Sequence, residues 1–524
     1  PQGTATRIVN TPSNTSACRR SPRHTDNFTH DCMTQNDDKQ SQSVGRELAS
    51  GVFYTSVAKY AGVVVTILVT AVLSRLFTPE EFGVVNIATV IIAFFAIFSD
   101  LGIGPAVIQH RDLSRRDLSS IFSLTIWSAV VIALLFFAAS GLIASFYDGS
   151  AELRDICRIL SLNLLFATAN IVPNSLVMKD KRFRFAAVRS LAVQVVGGAA
   201  GIIAAYAGAG IYALTINPVF SSVMLFAINY REYPVRLRMK PAREALSKVF
   251  SFSAYQFSFQ LLNFFSRNLD KLLMGRYMSL SDLGYYDKSY RLMMMPLQNI
   301  AFVISPVMHP VFAQMQHDLN KLGEAYLKVI RLLAFIGLPL SAVLWFTAEE
   351  LVLIIFGNQW MPSVAAFRIL ALSVGIQIVM STSGSIFQAA NATRMLFICG
   401  LFSATLNVAA ISTGIFAFGT LEAVAWAICI SFAVNFVQCY HALFCLTLRT
   451  GWGRFWRSLL QPLLLTAILS LALAGIAWLL PATTPHLPSL AAKCAAALVV
   501  WLGYLQLSGA YNLKELAARL RPGK

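Results

Sequence analysis

Two short stretches decide how this 524-residue chain is built. The first reads Ser74-Arg75-Leu76-Phe77-Thr78-Pro79-Glu80-Glu81-Phe82-Gly83. The second reads Gly275-Arg276-Tyr277-Met278-Ser279-Leu280-Ser281-Asp282-Leu283-Gly284. They align without a gap at an offset of 201: Arg on Arg, a hydroxyl residue, an acidic residue, then Gly. Each lies at the end of a long apolar run and before another, so each is a turn between two helices. A second match supports the first. Arg158-Ile159-Leu160-Ser161-Leu162 aligns with Arg368-Ile369-Leu370-Ala371-Leu372 at an offset of 210. Internal repeats of this kind are the mark of duplicated membrane bundles.

Working outward, apolar residues make up 56% of the chain and charged residues only 13%, which excludes an ordinary soluble enzyme of this size. A bilayer core of about 30 Å needs about 20 mostly apolar residues per crossing. On that criterion fourteen spans are expected, near 52–76, 83–109, 118–145, 155–178, 187–206, 212–230, 249–276, 284–315, 325–355, 363–390, 393–416, 421–448, 458–480 and 489–508. The fold class is therefore an all-α polytopic membrane protein with two six-helix lobes plus two C-terminal helices. An even number of helices separates the paired elements, so the lobes share one orientation. The expected division is a disordered polar extension (1–48), an N-lobe (49–230), a basic cytoplasmic linker (231–248), a C-lobe (249–448), two further spans (449–510) and a tail (511–524).

Alternate gaps between spans differ sharply in charge. Gaps 110–117, 179–184, 231–248, 317–331 and 449–457 carry 19 Lys or Arg, whereas the opposite set carries only Arg154. Basic loops stay on the cytoplasmic side, so both termini are expected there. The net charge of +17 is thereby a topological signal and gives no reason to expect nucleic acid as a partner. Residues Lys240 to Lys248 are expected to form a short interfacial helix attracted to anionic membrane lipids. The eight cysteines include no CxxC, so neither a zinc site nor a disulfide framework is expected. No nucleotide-binding loop is present.

Charges inside a span are functional candidates by default. In the first hairpin, Lys59 and Asp100 fall at similar depth in the inner half and are placed to pair. In the second, Arg267, Asp270 and Lys271 share one helix face, and Asp287, Lys288 and Arg291 follow Gly284 on the next helix. These six lie in the outer half, and the two carboxylates leave a surplus of two positive charges. Surplus Arg and Lys suit a phosphate or diphosphate, because guanidinium groups bind such anions in bidentate fashion.

The stretch Ala71 to Gly83 followed by Asp100-Leu101-Gly102 resembles the first hairpin of bacterial polysaccharide flippases. Leu269 to Arg276 with Leu283-Gly284-Tyr285-Tyr286 resembles the start of their second lobe, and Phe356-Gly357-Asn358-Gln359-Trp360 resembles the turn after their ninth helix. The resemblance spans residues 46 to 510 and is to the colanic-acid, succinoglycan and xanthan exporters of the multidrug/oligosaccharidyl-lipid/polysaccharide superfamily. It implies a V-shaped pair of lobes around a cationic cavity in the bacterial inner membrane. It implies, as substrate, an undecaprenyl-diphosphate-linked oligosaccharide flipped to the periplasmic leaflet for exopolysaccharide or lipopolysaccharide biosynthesis. It further implies coupling to H+ or Na+ in some members, no other cofactor, and a polymerase and chain-length or export proteins as partners. Other readings are a peptidoglycan-precursor flippase or multidrug antiporter of the same superfamily, a glycan polymerase or ligase, and a scaffold without transport. A cation exporter wants an acidic cavity, and a polymerase wants a large extracytoplasmic loop; neither feature is in the sequence.

Overall fold

The computed structural model describes residues 54–508 apart from 101–102, 110–112, 148–149, 239–242, 314, 317 and 482; in addition, the side chains of residues 100, 243–256, 258–259, 262 and most of 301–313 are outside the description. The extension 1–48, the tail 511–524 and the side chain of Asp100 therefore lie outside the described residues.

The described chain is helical, with no strand among the described residues. The helices are α1 (Tyr54–Leu76), α2 (Pro79–Asp100), α3 (Ile103–Gln109), α4 (Arg115–Phe146), α5 (Ala151–Ala169), α6 (Ile171–Lys179), α7 (Phe183–Tyr206) and α8 (Ala213–Glu232). They continue with α9 (Arg243–Tyr277), α10 (Leu280–Ala313), α11 (Leu319–Phe346), α12 (Ala348–Ile355), α13 (Met361–Met380), α14 (Ser383–Ala389), α15 (Thr393–Thr413), α16 (Leu421–His441), α17 (Trp452–Leu479) and α18 (His486–Leu507). Twelve spans among them are long and apolar enough to cross a membrane, α5 with α6 and α13 with α14 each forming one. The other two expected spans fall on α9 and α10, 35 and 34 residues long, where many of the side chains lie outside the description. Those two helices hold the charges Arg267 to Arg291. Residues 243–248 belong to the first turns of α9 rather than to a separate interfacial helix.

Local sequence explains the breaks. The two repeated turns are capping boxes, in which a hydroxyl residue and an acid three positions later satisfy each other's backbone N–H groups. Thr78 N donates to Glu81 Oε2 at 2.7 Å and Glu81 N to Thr78 Oγ1 at 3.3 Å, which starts α2. Ser279 N donates to Asp282 Oδ2 at 3.4 Å and Asp282 N to Ser279 Oγ at 3.0 Å, which starts α10. Between α5 and α6 the chain breaks at Asn170, because Pro173 cannot accommodate the carbonyl four residues earlier in a continuous helix.

In the first half α4 packs on α5, α5 on α8 and α7 on α8, with α1 against α7. In the second, α11 packs on α13 and α17, α13 on α10 and α16, and α15 on α16. The halves meet where α2 lies along α9 and α10. Large apolar side chains such as Leu142, Ile203, Phe397 and Leu471 face outward, as a lipid-exposed surface requires and a water-exposed one would not tolerate in such numbers.

The last helix, α18, is fastened by charge. Lys493 of α18 pairs with Glu350 of α12 and donates to the Phe346 carbonyl at 2.9 Å, while Ser489 Oγ donates to Glu350 at 2.7 Å. Their side chains are only 10% and 7% exposed. Removing one partner leaves a buried unpaired charge, so Lys493→Ala is expected to cost about 3–5 kcal/mol, and the Glu350→Leu/Lys493→Leu double variant much less. Thermal unfolding of the detergent-purified proteins checks this; equal losses in both would show that the pair is not what holds α18.

Candidate functional site

The repeated turns meet each other at one end of the bundle. A Cβ on Gly83 would lie 2.0 Å from the Leu280 carbonyl oxygen, and a Cβ on Gly284 would lie 2.1 Å from the Pro79 carbonyl oxygen. Pro79 and Leu280 are themselves equivalent at the offset of 201, so the two halves touch through the same pair of positions used reciprocally. Only a residue without a side chain allows α2 and α10 to cross this closely.

Around this crossing the turn Phe356-Gly357-Asn358-Gln359-Trp360 locks onto the first hairpin. Trp360 Nε1 donates to the Ser74 carbonyl at 2.8 Å, and Gln359 Nε2 donates to the carbonyls of Ser74 and, at 3.0 Å, Phe77. Arg75 donates to the Ile354 carbonyl at 2.6 Å and the Ile355 carbonyl at 3.3 Å, which are orphan acceptors at the end of α12. The repeat produces the counterpart. Arg276 stacks over Phe146 at the end of α4, 5.4 Å from its ring centre, and Tyr147 Oη donates to the Leu272 carbonyl at 3.4 Å. This end of the bundle is sealed.

Lys288 belongs to the seal. It is 3% exposed, and its ammonium lies 3.5 Å from the ring centre of Phe82 in the first half. Trp360 and Phe356 lie at 5.3 and 5.4 Å. The sequence grouped Lys288 with the cavity cations; the structure places it in an aromatic cage between the halves, away from the cavity described below. Cation–π attraction of about 2 kcal/mol and the desolvation of the ammonium work against each other here. Lys288→Met is therefore expected to preserve membrane abundance and to shift the melting temperature by only a few degrees. Lys288→Glu should lower both sharply. A large loss in the Met variant, read by thermal unfolding, would mean that the charge itself holds the seal.

The other candidates form a network one turn further along α9 and α10. Asp287 is buried and takes both Lys271, at 3.0 Å, and Arg291, whose Nε donates at 2.6 Å. Asp270, expected to neutralise a cation, instead accepts from the Tyr286 hydroxyl at 2.6 Å and the Lys271 backbone N–H at 2.9 Å. Arg267 and Arg291 are exposed. Among the described residues Arg291 bonds only through its Nε, to Asp287, and its terminal nitrogens are oriented to take another acceptor.

At the opposite end a cavity of about 780 Å³ lies between the halves. Lys59, Gly62 and Thr66 of α1, Ser190 and Gln194 of α7, and Met295, Gln298 and Asn299 of α10 line it. Arg291 precedes these α10 residues by four, seven and eight positions, so it shares their face and continues the wall towards the seal. Lys59 is the single cation among the lining residues. Its expected partner Asp100 ends α2, and the pairing lies outside the described side chains. The polar residues Gln194, Gln298 and Asn299 were missed in the sequence; Gln298 and Asn299 were legible there as amides at helical spacing from Arg291.

Asn170 and Asn174 join helices to one another. The buried Arg189 donates to Asn229 and, at 3.2 Å, to Asn174, and Asn229 donates to Asn170 at 2.7 Å.

Two helical halves, sealed at one end and hollow between them at the other, have the build of a membrane transporter. The fold matches that of a lipid II flippase MurJ, with a TM-score of 0.70 at 14% identity over 87% of this chain and 98% of that one. It also matches a multidrug resistance MATE family transporter, with a TM-score of 0.58 at 16% identity over 75% and 96% of the two chains. The chain belongs to the polysaccharide biosynthesis protein family, whose profile matches residues 72–365. Among its relatives, the teichuronic acid biosynthesis protein TuaB of Bacillus subtilis is 27% identical over 83% of this chain and 90% of its own. The succinoglycan biosynthesis transport protein ExoT of Rhizobium meliloti is 27% identical over 70% and 74%.

Proposed function

We propose that this protein flips undecaprenyl-diphosphate-linked oligosaccharide repeat units from the cytoplasmic to the periplasmic leaflet by alternating access. The observation that carries the proposal is the cationic wall: Arg291, on the same α10 face as Met295, Gln298 and Asn299, projects past Asp287 above a cavity entered beside Lys59. A diphosphate can be drawn in by Lys59 and received by the free guanidinium nitrogens of Arg291 with Arg267 close by, while the lipid tail stays in the bilayer. The relatives named for teichuronic acid and succinoglycan biosynthesis support a glycan cargo.

In this reading α9 and α10 cross the membrane with the twelve apolar spans, giving fourteen in two six-helix lobes and a C-terminal pair. The basic loops face the cytoplasm of a bacterial inner membrane, the sealed end faces the periplasm, and the conformation is open inward. Coupling to H+ or Na+ and contact with a polymerase or export proteins belong to the same proposal. Deleting the gene should cause lipid-linked repeat units to accumulate on the cytoplasmic face, measured by extraction and by protection from added glycosidase in inverted vesicles. Normal export with no accumulation would overturn the assignment.

A further inference from the structure

Two basic segments far apart in the chain meet at the basic-loop end of the first half. α4 opens with Arg115 and Arg116, and the segment after α8, Tyr233 to Arg238, returns across its first turns. The Arg238 N–H donates to Ser123 Oγ at 2.7 Å, and Val235 is buried with Ile121, Phe122, Val172 and Leu176, so this strap is fixed against the helices. Between strap and helix is a cavity of about 810 Å³, whose lining includes Arg115, Arg116, Arg236, Arg238, the apolar Leu118 and Leu237, and one carboxylate, Glu232.

All four arginines are exposed, and none forms an ion pair with a carboxylate among the described residues. The neighbouring acids among the described residues are already engaged. Glu232 pairs with Arg182, Asp180 accepts from the Tyr233 hydroxyl at 2.5 Å, and Asp117 accepts from the Ser114 backbone N–H at 3.1 Å in a capping box. Four uncompensated guanidinium groups around one cavity suit a phosphate, which they can grip in bidentate fashion. Leu237, 60% exposed between Arg236 and Arg238, adds an apolar surface beside the charge. α4 begins a membrane span at Arg115, which puts the cavity at headgroup level.

We propose that this cavity is a binding site for the phosphate headgroup of an anionic membrane phospholipid, with Leu237 against its acyl chains. The proposal is independent of the cargo, because the site lies outside the cavity between the halves.

The test uses the full chain, delipidated in detergent and exposed to mixed micelles of phosphatidylglycerol and phosphatidylcholine, with retained lipid counted by native mass spectrometry. Phosphatidylglycerol should be retained preferentially, and the R115Q/R116Q/R236Q/R238Q variant should retain it about tenfold less. A control with the same change in charge elsewhere at the basic end, K321Q/K328Q/R454Q/R457Q, should retain it as wild type does. Should the first variant fail to fold, R115Q/R116Q and R236Q/R238Q are read separately, each expected to fall about threefold. Undiminished retention in these variants would overturn the site. So would an equal loss in the control, which would mean unspecific surface charge, or displacement by millimolar inorganic phosphate, which would mean a soluble anion.

Discussion

Gly83→Ala is expected to abolish glycan export while the protein still inserts. The added methyl would sit 2.0 Å from the Leu280 carbonyl oxygen, a backbone atom that no rotamer change can move aside. α2 and α10 must then part, and the bonds from Gln359 and Trp360 to Ser74 and Phe77 part with them. A transporter that cannot seal one end cannot hold its cargo site open to one leaflet at a time, so export should fall by about a hundredfold or more, the coupling of the two faces being lost. Gly284→Ala should do the same through the Pro79 carbonyl. Cross-linking of a Thr78→Cys/Ser281→Cys pair, read beside export and membrane abundance, follows the seal directly. Intact export in the Gly83→Ala/Gly284→Ala double variant would refute the seal.

Arg291→Ala should leave the fold in place and reduce export about tenfold to a hundredfold, since one charge-assisted contact to a phosphate is worth about 1.5–3 kcal/mol. Asp287 keeps Lys271 at 3.0 Å, so no buried carboxylate is left alone. Arg291→Lys should recover only part of the loss, because an ammonium lacks the paired donors of a guanidinium. Arg267→Ala should impair export as well. Lipid-linked intermediates and exported polymer, normalised to protein abundance, give the readout; unchanged export in both alanine variants would remove the anion site from α9 and α10.

The bundle was legible in the sequence because spans and turns are written in local chemistry. Apolar length marks the spans, and the hydroxyl and acidic residues at Thr78/Glu81 and Ser279/Asp282 mark the starts of α2 and α10. The match of Gly83 to Gly284 was legible too, but its meaning was not. A glycine in a repeat says that something approaches closely, and only the packing says that the something is the other copy. The same limit applied to charge. Helical spacing grouped Asp270, Lys271, Asp287, Lys288 and Arg291 at the same end without pairing them; the structure joins Lys271 to Asp287 across α9 and α10. It could not say that Lys288 turns towards Phe82 while Arg291 turns towards solvent, because positions three apart on a helix point only about 60° apart and the partner helices decide which of them is buried. Nor could it bring Arg115 and Arg236 together, as their proximity depends on the return of the strap after α8.

The reciprocal crossing of α2 and α10 has the form of an isologous interface, in which one patch meets its own copy across a two-fold axis. Here the axis runs inside a single chain: Gly83 rests on Leu280 as Gly284 rests on Pro79, and Arg75 and Arg276 each reach for the far end of a neighbouring hairpin. A half-length ancestor with one such turn could have closed the same contact as a homodimer. Both contacts lie at the one crossing of α2 and α10, so any motion that parts these two helices there loosens both copies of the patch.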